Sequence, residues 1–233
     1  MRTELPELLE LLAGAPVFRT LSPEERREVL GRGLRRHLAR GEVEAVAGEV
    51  WPYLVLVVRG TLTAAKVSPE GRALTGLELR AGDVFAAPSF FDDGPLPASL
   101  QARDEAVAYR WHRSALMAAL RGNPEAMWDL AVLVVSQMRR AGEVVEQLAF
   151  QPLSGRLARL LLDRFGHALG APGARLLTLD EMAALIGSTR EVVCRLLYRL
   201  AEEGLIRISR TELSIVDPAG LADLAGVQID HGQ

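Results

Sequence analysis

The sequence predicts an α+β protein in three parts: an antiparallel β-roll, a long helix, and a small helical unit that ends in a hairpin. Three patterns along its 233 residues support this prediction. Short apolar runs separated by glycines occupy 41–111, as expected for consecutive short strands. Helical periodicity then continues to Phe150. A helix, a glycine turn, a second helix and a hairpin follow, which is the outline of a winged helix-turn-helix. We place the domain boundaries at 1–122, 123–151 and 152–233.

Two short helices are expected before the strands. Ser22 is suited to cap the second of them, because Pro23 stands at the first helical position and two glutamates follow in the first turn, where negative charge suits the helix dipole. Within the strand region, "SPEG" at 68–71 and "RAGD" at 80–83 are typical turn sequences. Short strands joined by such turns favour a compact antiparallel barrel or roll.

The long helix carries an apolar residue at every third or fourth position, which is the spacing of a coiled-coil seam. The members of this seam are Met127, Ala131, Val134, Met138, Ala141, Val145 and Leu148. Such a stripe packs either on a second copy of the chain or on the β-roll of its own chain. Because the stripe is narrow and long, we expect a homodimer.

Composition argues against several classes of function. The single cysteine, Cys194, cannot form an internal disulfide or supply the thiolates of a metal cluster. The four histidines lack metal-ligand spacing, and we expect neither a metal site nor catalytic residues. No apolar run is long enough to span a membrane and no signal-peptide cleavage site is found, so a cytoplasmic protein is expected. With a net charge of −3, the chain can attract nucleic acid only through a local arrangement of cations.

Residues 189–203 supply such an arrangement. At about 100° per residue, the valines and leucines of this helix fall on one side and its charged residues on the other. Arg190, Glu191 and Arg195 lie on the polar side, near the start of the helix. In the major groove of DNA, arginine can pair with guanine O6 and N7, and glutamate can accept from cytosine N4. The three residues are therefore candidates for base recognition.

Phosphate contacts are expected beside these base readers, because hydroxyl groups and arginines near helix ends bind phosphate. The candidates are Thr178, Ser188, Thr189, Arg199 and Arg210. The alternative is a solvated amphipathic helix in which Glu191 and Arg195 form an i,i+4 ion pair. The order of capped helix, turn, helix and hairpin favours DNA binding over that alternative.

The sequence resembles the Crp/Fnr family of bacterial transcription regulators, the family of the cyclic AMP receptor protein and FNR, over nearly its whole length. "STREVVCRLLYRLAEEGLI" is similar to the family's recognition helix, "VVRGTLTAAKVSPEGRALTGLELRAGDVF" to its β-roll, and "EQLAFQPLSGRLARLLL" to the exit of its dimer helix. The resemblance implies an N-terminal double-stranded β-helix (a jelly-roll-like β-roll), a long dimerisation helix and a C-terminal winged helix-turn-helix.

The resemblance also implies a function. Arg190, Glu191 and Arg195 match the residues with which the family reads a TGTGA-like half-site. The expected partners are therefore double-stranded DNA with a palindrome of that site, a second copy of the chain, and RNA polymerase. The family consists of regulators, so no enzymatic activity is expected.

The effector site departs from the cyclic-nucleotide-binding members of the family. After "GDxF" those members carry a Glu for the ribose and an Arg-Ser pair for the cyclic phosphate; here Ala87 and the segment Leu96–Ala98 stand at these positions. The residues that would touch the base align with Ala141 and Gly142, which offer no side-chain hydrogen bond. A buried phosphate without a cation is costly, so we expect no binding of cyclic AMP. The residues assigned to this pocket are Ala87, Ser89, Leu96, Ala98, Ser99, Ala141 and Gly142.

Other means of control stay open. No cysteine precedes Cys194, which excludes an iron-sulfur cluster held by clustered N-terminal cysteines. His112 is the nearest candidate for a haem ligand, but a solvated or core-edge histidine explains it better, and haem is not expected. The apolar segment "AAPSFF" suits an apolar small-molecule effector or none. Cys194 lies on the DNA-facing side of its helix, where oxidation could block DNA binding or where a small side chain simply fits.

Two other classes of protein are disfavoured. A cupin-type enzyme on the same roll would need a His and Glu metal constellation on the strands, and the strands contain none. A nucleotide-binding regulatory module would need the phosphate cation that the cassette lacks.

Overall fold

The structure, a computed structural model, describes residues 4–165, 173–174, 177–209 and 212–227. Contacts divide the chain into two units. The first unit comprises residues 1–66 and 76–141, and the second comprises residues 67–75 and 142–233. Each unit has its own apolar core.

Two helices precede the strands, as the sequence predicts: α1 (Glu4–Gly14) and α2 (Pro23–Arg32). Ser22 begins α2 through a capping box. Its hydroxyl accepts from the Glu25 amide at 3.2 Å, and its own amide donates to the Glu25 carboxylate at 2.7 Å. Hydrogen bonds from the backbone and then the side chain of Ser22 lower the pKa of Glu25. The carboxylate is therefore charged at neutral pH, at the helix end where negative charge is favoured.

The β-roll consists of two four-stranded antiparallel sheets. Its strands are β1 (Leu34–Leu38), β2 (Val43–Ala45), β3 (Tyr53–Arg59), β4 (Leu62–Val67), β5 (Ala73–Leu79), β6 (Val84–Ala86), β7 (Ser99–Ala102) and β8 (Ala106–His112). One sheet has the order β1-β8-β3-β6 and the other β2-β7-β4-β5. Gly71 and Gly82 have φ angles of 82° and 90° in the two predicted turns, a conformation that favours glycine. The predicted antiparallel roll is confirmed.

Trp111 of β8 lies fully buried in the core of the first unit. Its indole N–H donates to the Val29 carbonyl at 2.7 Å, and its ring lies 5.1 Å from that of Phe18. A buried indole needs such an acceptor. Gly33 faces the ring so closely that a Cβ at this position would lie 2.6 Å from the indole nitrogen. These contacts fix α2 against the sheet.

The roll is followed by α4 (Arg113–Leu120) and by α5 (Pro124–Phe150), the predicted long helix. A short helix, α3 (Ser89–Asp92), interrupts the strands. Within the first unit, α5 is apolar on two sides. The residues that it buries in the core are Ala126, Leu130 and Leu133. The large apolar residues that it exposes are Trp128, Val132, Val135 and Met138.

The predicted seam needs correction at two positions. Met127 and Val134 are half-buried and pack against the core of their own unit, so they do not belong to the exposed stripe. The seam residues that are exposed are Ala131, Met138, Ala141 and Val145, whereas Leu148 is half-buried. In the first unit the exposed stripe instead includes Trp128 and Val135, because each follows directly on a residue that turns toward the core.

Asp129 of α5 is held by Arg19, which lies 110 residues away in the chain. Its carboxylate is only 5% exposed and accepts from Arg19 Nε at 2.8 Å and from Nη2 at 2.6 Å. These hydrogen bonds are the main cause that lowers the pKa of Asp129. Because the folded-state pKa lies below the ordinary value, the stabilisation is complete at neutral pH and is lost as the pH falls through the folded-state pKa.

We expect Asp129→Asn to lower the free energy of unfolding of the first unit by about 2 kcal/mol at pH 7, as is typical for charge-assisted hydrogen bonds. The difference from the wild type should shrink as the pH falls below the ordinary aspartate pKa of about 4 toward the lowered folded-state pKa of Asp129, because the ion pair is progressively lost there. Urea unfolding followed by tryptophan fluorescence measures this unit selectively, because all three tryptophans lie in it.

The control for this experiment is Glu24→Gln, which removes the exposed ion pair with Arg27 and should leave stability nearly unchanged. A difference between Asp129→Asn and the wild type that is as large at pH 3 as at pH 7 would contradict the electrostatic explanation.

Among its described residues, the second unit contains the end of α5, four further helices and a small sheet. The elements are α6 (Leu153–Phe165), β9 (Gly173–Ala174), α7 (Leu179–Ile186), α8 (Arg190–Glu202), β10 (Ile206–Ile208), β11 (Glu212–Ile215) and α9 (Pro218–Ala225). The sheet has the order β10-β11-β9. The predicted order of helix, turn, helix and hairpin is confirmed. Arg210 lies outside the described residues.

Candidate nucleic-acid interface

The turn between α7 and α8 is defined at both ends by local chemistry. At the start of α7, the Thr178 hydroxyl accepts from the Glu181 amide at 3.2 Å, and the Thr178 amide donates to the Glu181 carboxylate at 2.6 Å. At its end, Gly187 has a φ of 68°. A Cβ on Gly187 would also lie 2.8 Å from Leu148 Cδ2. Glycine is therefore favoured here by its backbone conformation, and a larger residue would also have to displace the Leu148 side chain.

Helix α8 separates apolar and charged residues as the sequence predicts. Val193, Leu196, Leu197 and Leu200 are buried in the core of the second unit, and Val192 is half-buried against it. On the other side, the three candidate base readers Arg190, Glu191 and Arg195 are exposed. Since the buried side fixes the rotation of the helix, these three side chains are directed into solvent from a rigid support.

The carboxylate of Glu191, on the exposed side of α8, is held in its charged form. A hydrogen bond from its own backbone amide, then one from the Thr189 hydroxyl, lowers the pKa of Glu191, and Arg190 and Arg195 contribute in the same direction. The Glu191 carboxylate is therefore ionised at neutral pH and can only accept hydrogen bonds. Two guanidinium groups and one acceptor are thus presented together, a combination that suits the edges of guanine and cytosine.

The phosphate candidates differ in how free their side chains are. The Thr178 hydroxyl donates to the Glu181 carboxylate at 2.9 Å, so its hydrogen is already engaged. Thr189 caps α8, and its hydroxyl oxygen accepts from the Val192 amide at 3.5 Å. Ser188 is half-buried and Arg199 is exposed in the last turn of α8. Among the described phosphate candidates, Arg199 therefore has the most accessible donor.

One contact at this surface was not anticipated from the sequence. Asp180, in the first turn of α7, lies with its Oδ2 3.4 Å from Nη1 of Arg190. The only sequence signal for it is the glycine turn, which predicts that the starts of two consecutive helices belong to one motif but does not specify which side chains meet.

Apolar side chains and paired polar groups occupy the positions assigned to the effector pocket. Ala87 and Leu96 are buried in the apolar core of the roll. The Ser89 hydroxyl donates to the Gly94 carbonyl at 2.5 Å, and the Ser99 hydroxyl accepts from the Ala47 amide at 2.9 Å. Ala98 is half-buried, and Ala141 and Gly142 are exposed on α5.

Helix α5 also closes the edge of strand β6 beside these positions. When the side-chain amide of Gln137 is oriented to match its neighbours, its nitrogen donates to the Ala86 carbonyl at 3.2 Å. Its oxygen then accepts from the Ala86 amide at 3.3 Å. Both backbone groups next to Ala87 are thus satisfied by the chain itself.

His112 and Cys194 are the remaining candidates from the sequence. His112 caps α4, where its Nδ1 accepts from the Ser114 amide at 3.3 Å and its ring lies 5.2 Å from that of Tyr53. Cys194 is half-buried on α8. Within the described ranges, no three His, Cys, Asp or Glu side chains are grouped as metal ligands would be. None of the helices described is long and apolar enough to cross a membrane.

Comparisons with known proteins agree with this arrangement. Residues 35–123 match the cyclic nucleotide-binding domain family, and residues 155–224 match the Crp-like helix-turn-helix domain family. The cyclic AMP receptor protein of Thermus thermophilus is 29% identical over 214 residues, which cover 92% of this chain and 98% of that protein. The transcriptional regulator SdrP of the same organism is 30% identical, over 72% of this chain and 82% of that protein.

Solved structures show the same fold. A putative transcriptional regulator of the Crp/Fnr family from Eubacterium rectale superposes with a TM-score of 0.74 at 20% identity, covering 91% of this chain and 99% of that one. The architecture and the matches together define a DNA-binding transcription regulator of the helix-turn-helix class. The chain belongs to the Crp/Fnr family. The family and the fold class predicted from the sequence are thereby confirmed.

Proposed function

We propose that this regulator binds a palindrome of TGTGA-like half-sites as a homodimer, and that it does so without cyclic AMP. The observation that carries the proposal is the presentation of Arg190, Glu191 and Arg195 on the exposed side of a helix whose other side is buried. Such a helix fits the major groove, where the arginines pair with guanine and the glutamate accepts from cytosine. Arg199, and Arg210 beyond the described residues, would bind phosphates.

The exposed side of α5 supports the homodimer. Trp128 is 70% exposed and Met138 69% exposed, and both belong to an apolar stripe. Large apolar side chains that recur along one side of a long helix are covered when two such helices pair. A twofold dimer would present two α8 helices to half-sites about one helical turn of DNA apart. RNA polymerase is the further partner expected of a regulator bound at such a site, and the DNA target implies a cytoplasmic location.

The residues of the roll do not fit a cyclic nucleotide, which supports the second part of the proposal. Between Ala86 and Ser99 the chain contains no arginine or lysine. Leu96 and Ala87, which stand where the phosphate and ribose ligands of the family would be, are buried among apolar side chains. A cyclic phosphate placed there would lose its hydration without gaining a cation. Activity would then follow the abundance of the protein.

A gel shift of the full-length chain tests the proposal. A duplex with two TGTGA half-sites in inverted repeat should bind at least about a thousandfold more tightly than a scrambled duplex, as is typical of specific regulators. Added cyclic AMP should leave both affinities unchanged, and titration calorimetry with cyclic AMP should give no binding heat. Binding to the palindrome that requires cyclic AMP would overturn the second part of the proposal, and equal affinity for both duplexes would overturn the first.

A further inference from the structure

The contact between Asp180 and Arg190 joins the starts of two helices on the surface that carries the base readers. Asp180 belongs to the first turn of α7, and Arg190 is the first residue of α8. The distance between Oδ2 and Nη1 is 3.4 Å, and the two side chains are 69% and 61% exposed. An ion pair this exposed adds little to the stability of the fold. The contact with Asp180 instead restricts the position of the guanidinium group of Arg190.

An arginine can read a base while it keeps such a contact. The guanidinium group has five N–H donors, and Asp180 accepts from one nitrogen only. Two further donors suffice for guanine O6 and N7. The side chain of arginine otherwise has many rotamers, which must be given up when it docks against a base. A carboxylate that restricts those rotamers beforehand therefore lowers the entropy cost of the specific contact.

The same carboxylate acts against binding that does not depend on sequence. Affinity for any duplex comes from cations that neutralise phosphates. Asp180 adds a negative charge beside Arg190 and competes with phosphate for its guanidinium. From residue 151 onward the chain has nine arginines and ten acidic residues, so the loss of one acid is a substantial change in the local charge.

We propose that Asp180 is a positioning residue that raises the sequence specificity of Arg190. This proposal rests on the proposed function, in which Arg190 reads a base. Asp180 restricts Arg190 to the orientation that meets guanine and weakens its use as a general phosphate ligand. Removal of the carboxylate should therefore weaken binding to the TGTGA palindrome relative to binding to an unrelated duplex. A role in the stability of α7 alone would lower both affinities together.

The test compares Asp180→Asn with the wild type on three duplexes: the TGTGA palindrome, the same palindrome with its guanines replaced, and a scrambled sequence. The ratio of affinities for the first and second duplexes should fall about three- to fivefold. Affinity for the scrambled duplex should rise, and the slope of its logarithm against log salt should steepen by up to about one, because Arg190 is released to bind a phosphate. Asp180→Glu should restore part of the ratio.

Two controls separate positioning from general effects. Asp163→Asn removes the same charge from an exposed position on α6 of the same unit and should leave the ratio unchanged. In the Arg190→Ala background, Asp180→Asn should no longer alter the ratio, because the side chain that it positions is absent. Thermal unfolding of each variant reports whether the fold is intact.

Three results would each overturn the positioning role of Asp180. A wild type that prefers the palindrome, together with an Asp180→Asn variant that keeps the full ratio, overturns the positioning role and leaves the proposed function standing. A variant that binds all duplexes less tightly and unfolds at a lower temperature overturns it as well, in favour of a structural role. A wild type without sequence preference overturns the proposed function and this inference together.

Discussion

In the proposed homodimer, replacing Val135 and Met138 with glutamate is expected to separate the two copies and to weaken binding to the proposed palindrome by about a hundredfold or more. Both side chains are exposed on the apolar stripe of α5. In a paired helix they would be buried, where a carboxylate without a partner is strongly disfavoured. A monomer engages one half-site at a time and loses the gain in effective concentration that a second linked helix provides.

Sedimentation velocity and a gel shift measure the two consequences. The fluorescence of Trp128, which is 70% exposed in the single chain, provides a third readout, because burial in a dimer shifts its emission to the blue. The control is Arg140→Glu. It changes the net charge by the same two units on the same helix, at an exposed position about 120° around the axis from Trp128. A double variant that sediments like the wild type would show that the stripe is not the dimer interface.

The features predicted best from the sequence are those set by a few neighbouring residues. Ser22 caps α2 in front of Pro23, as the sequence predicts. Gly71 and Gly82 adopt positive φ angles in predicted turns. Such patterns depend on bonds within one or two turns of the chain, so the tertiary structure does not alter them.

Helix α5 shows where periodicity alone is insufficient. Its apolar residues come in adjacent pairs, such as Met127 with Trp128 and Val134 with Val135. Between residues 127 and 135, an apolar seam can be drawn through either member of each pair with the same spacing. The structure selects the second member for the exposed stripe, because the first packs on the core of its own unit. Only the position of the roll decides the phase, and that position is not encoded in the helix itself.

Contacts between distant polar residues were not predictable in any form. Arg19 and Asp129 are separated by 110 residues, and no spacing rule relates them. The sequence names residue types that suit DNA, whereas the partners of these residues depend on how the helices are placed. For the same reason, the contact of Asp180 with Arg190 is visible only in three dimensions.

The Arg190→Ala variant should lose most of the preference for TGTGA while retaining binding to DNA in general. A bidentate contact between arginine and guanine contributes about 1–3 kcal/mol of discrimination. Because a dimer presents two copies, the affinity for the palindrome should fall by about two to three orders of magnitude, toward that of a scrambled duplex. Fluorescence anisotropy with both duplexes measures the ratio. The fold should be unaffected, because Arg190 is exposed and the opposite side of α8 forms the core.

Arg199→Ala is the matched control, since it removes the same group from the exposed side of the last turn of α8. If Arg199 binds phosphate, its loss weakens binding to both duplexes by a similar factor and reduces the dependence on salt, but it leaves the ratio unchanged. Arg190→Lys adds a further distinction, because lysine keeps the charge but cannot form the paired bonds to O6 and N7. A lysine variant with full preference, or an alanine variant that still selects the palindrome, would assign sequence recognition to other residues, and the pairing of Asp180 with Arg190 would then have no part in it.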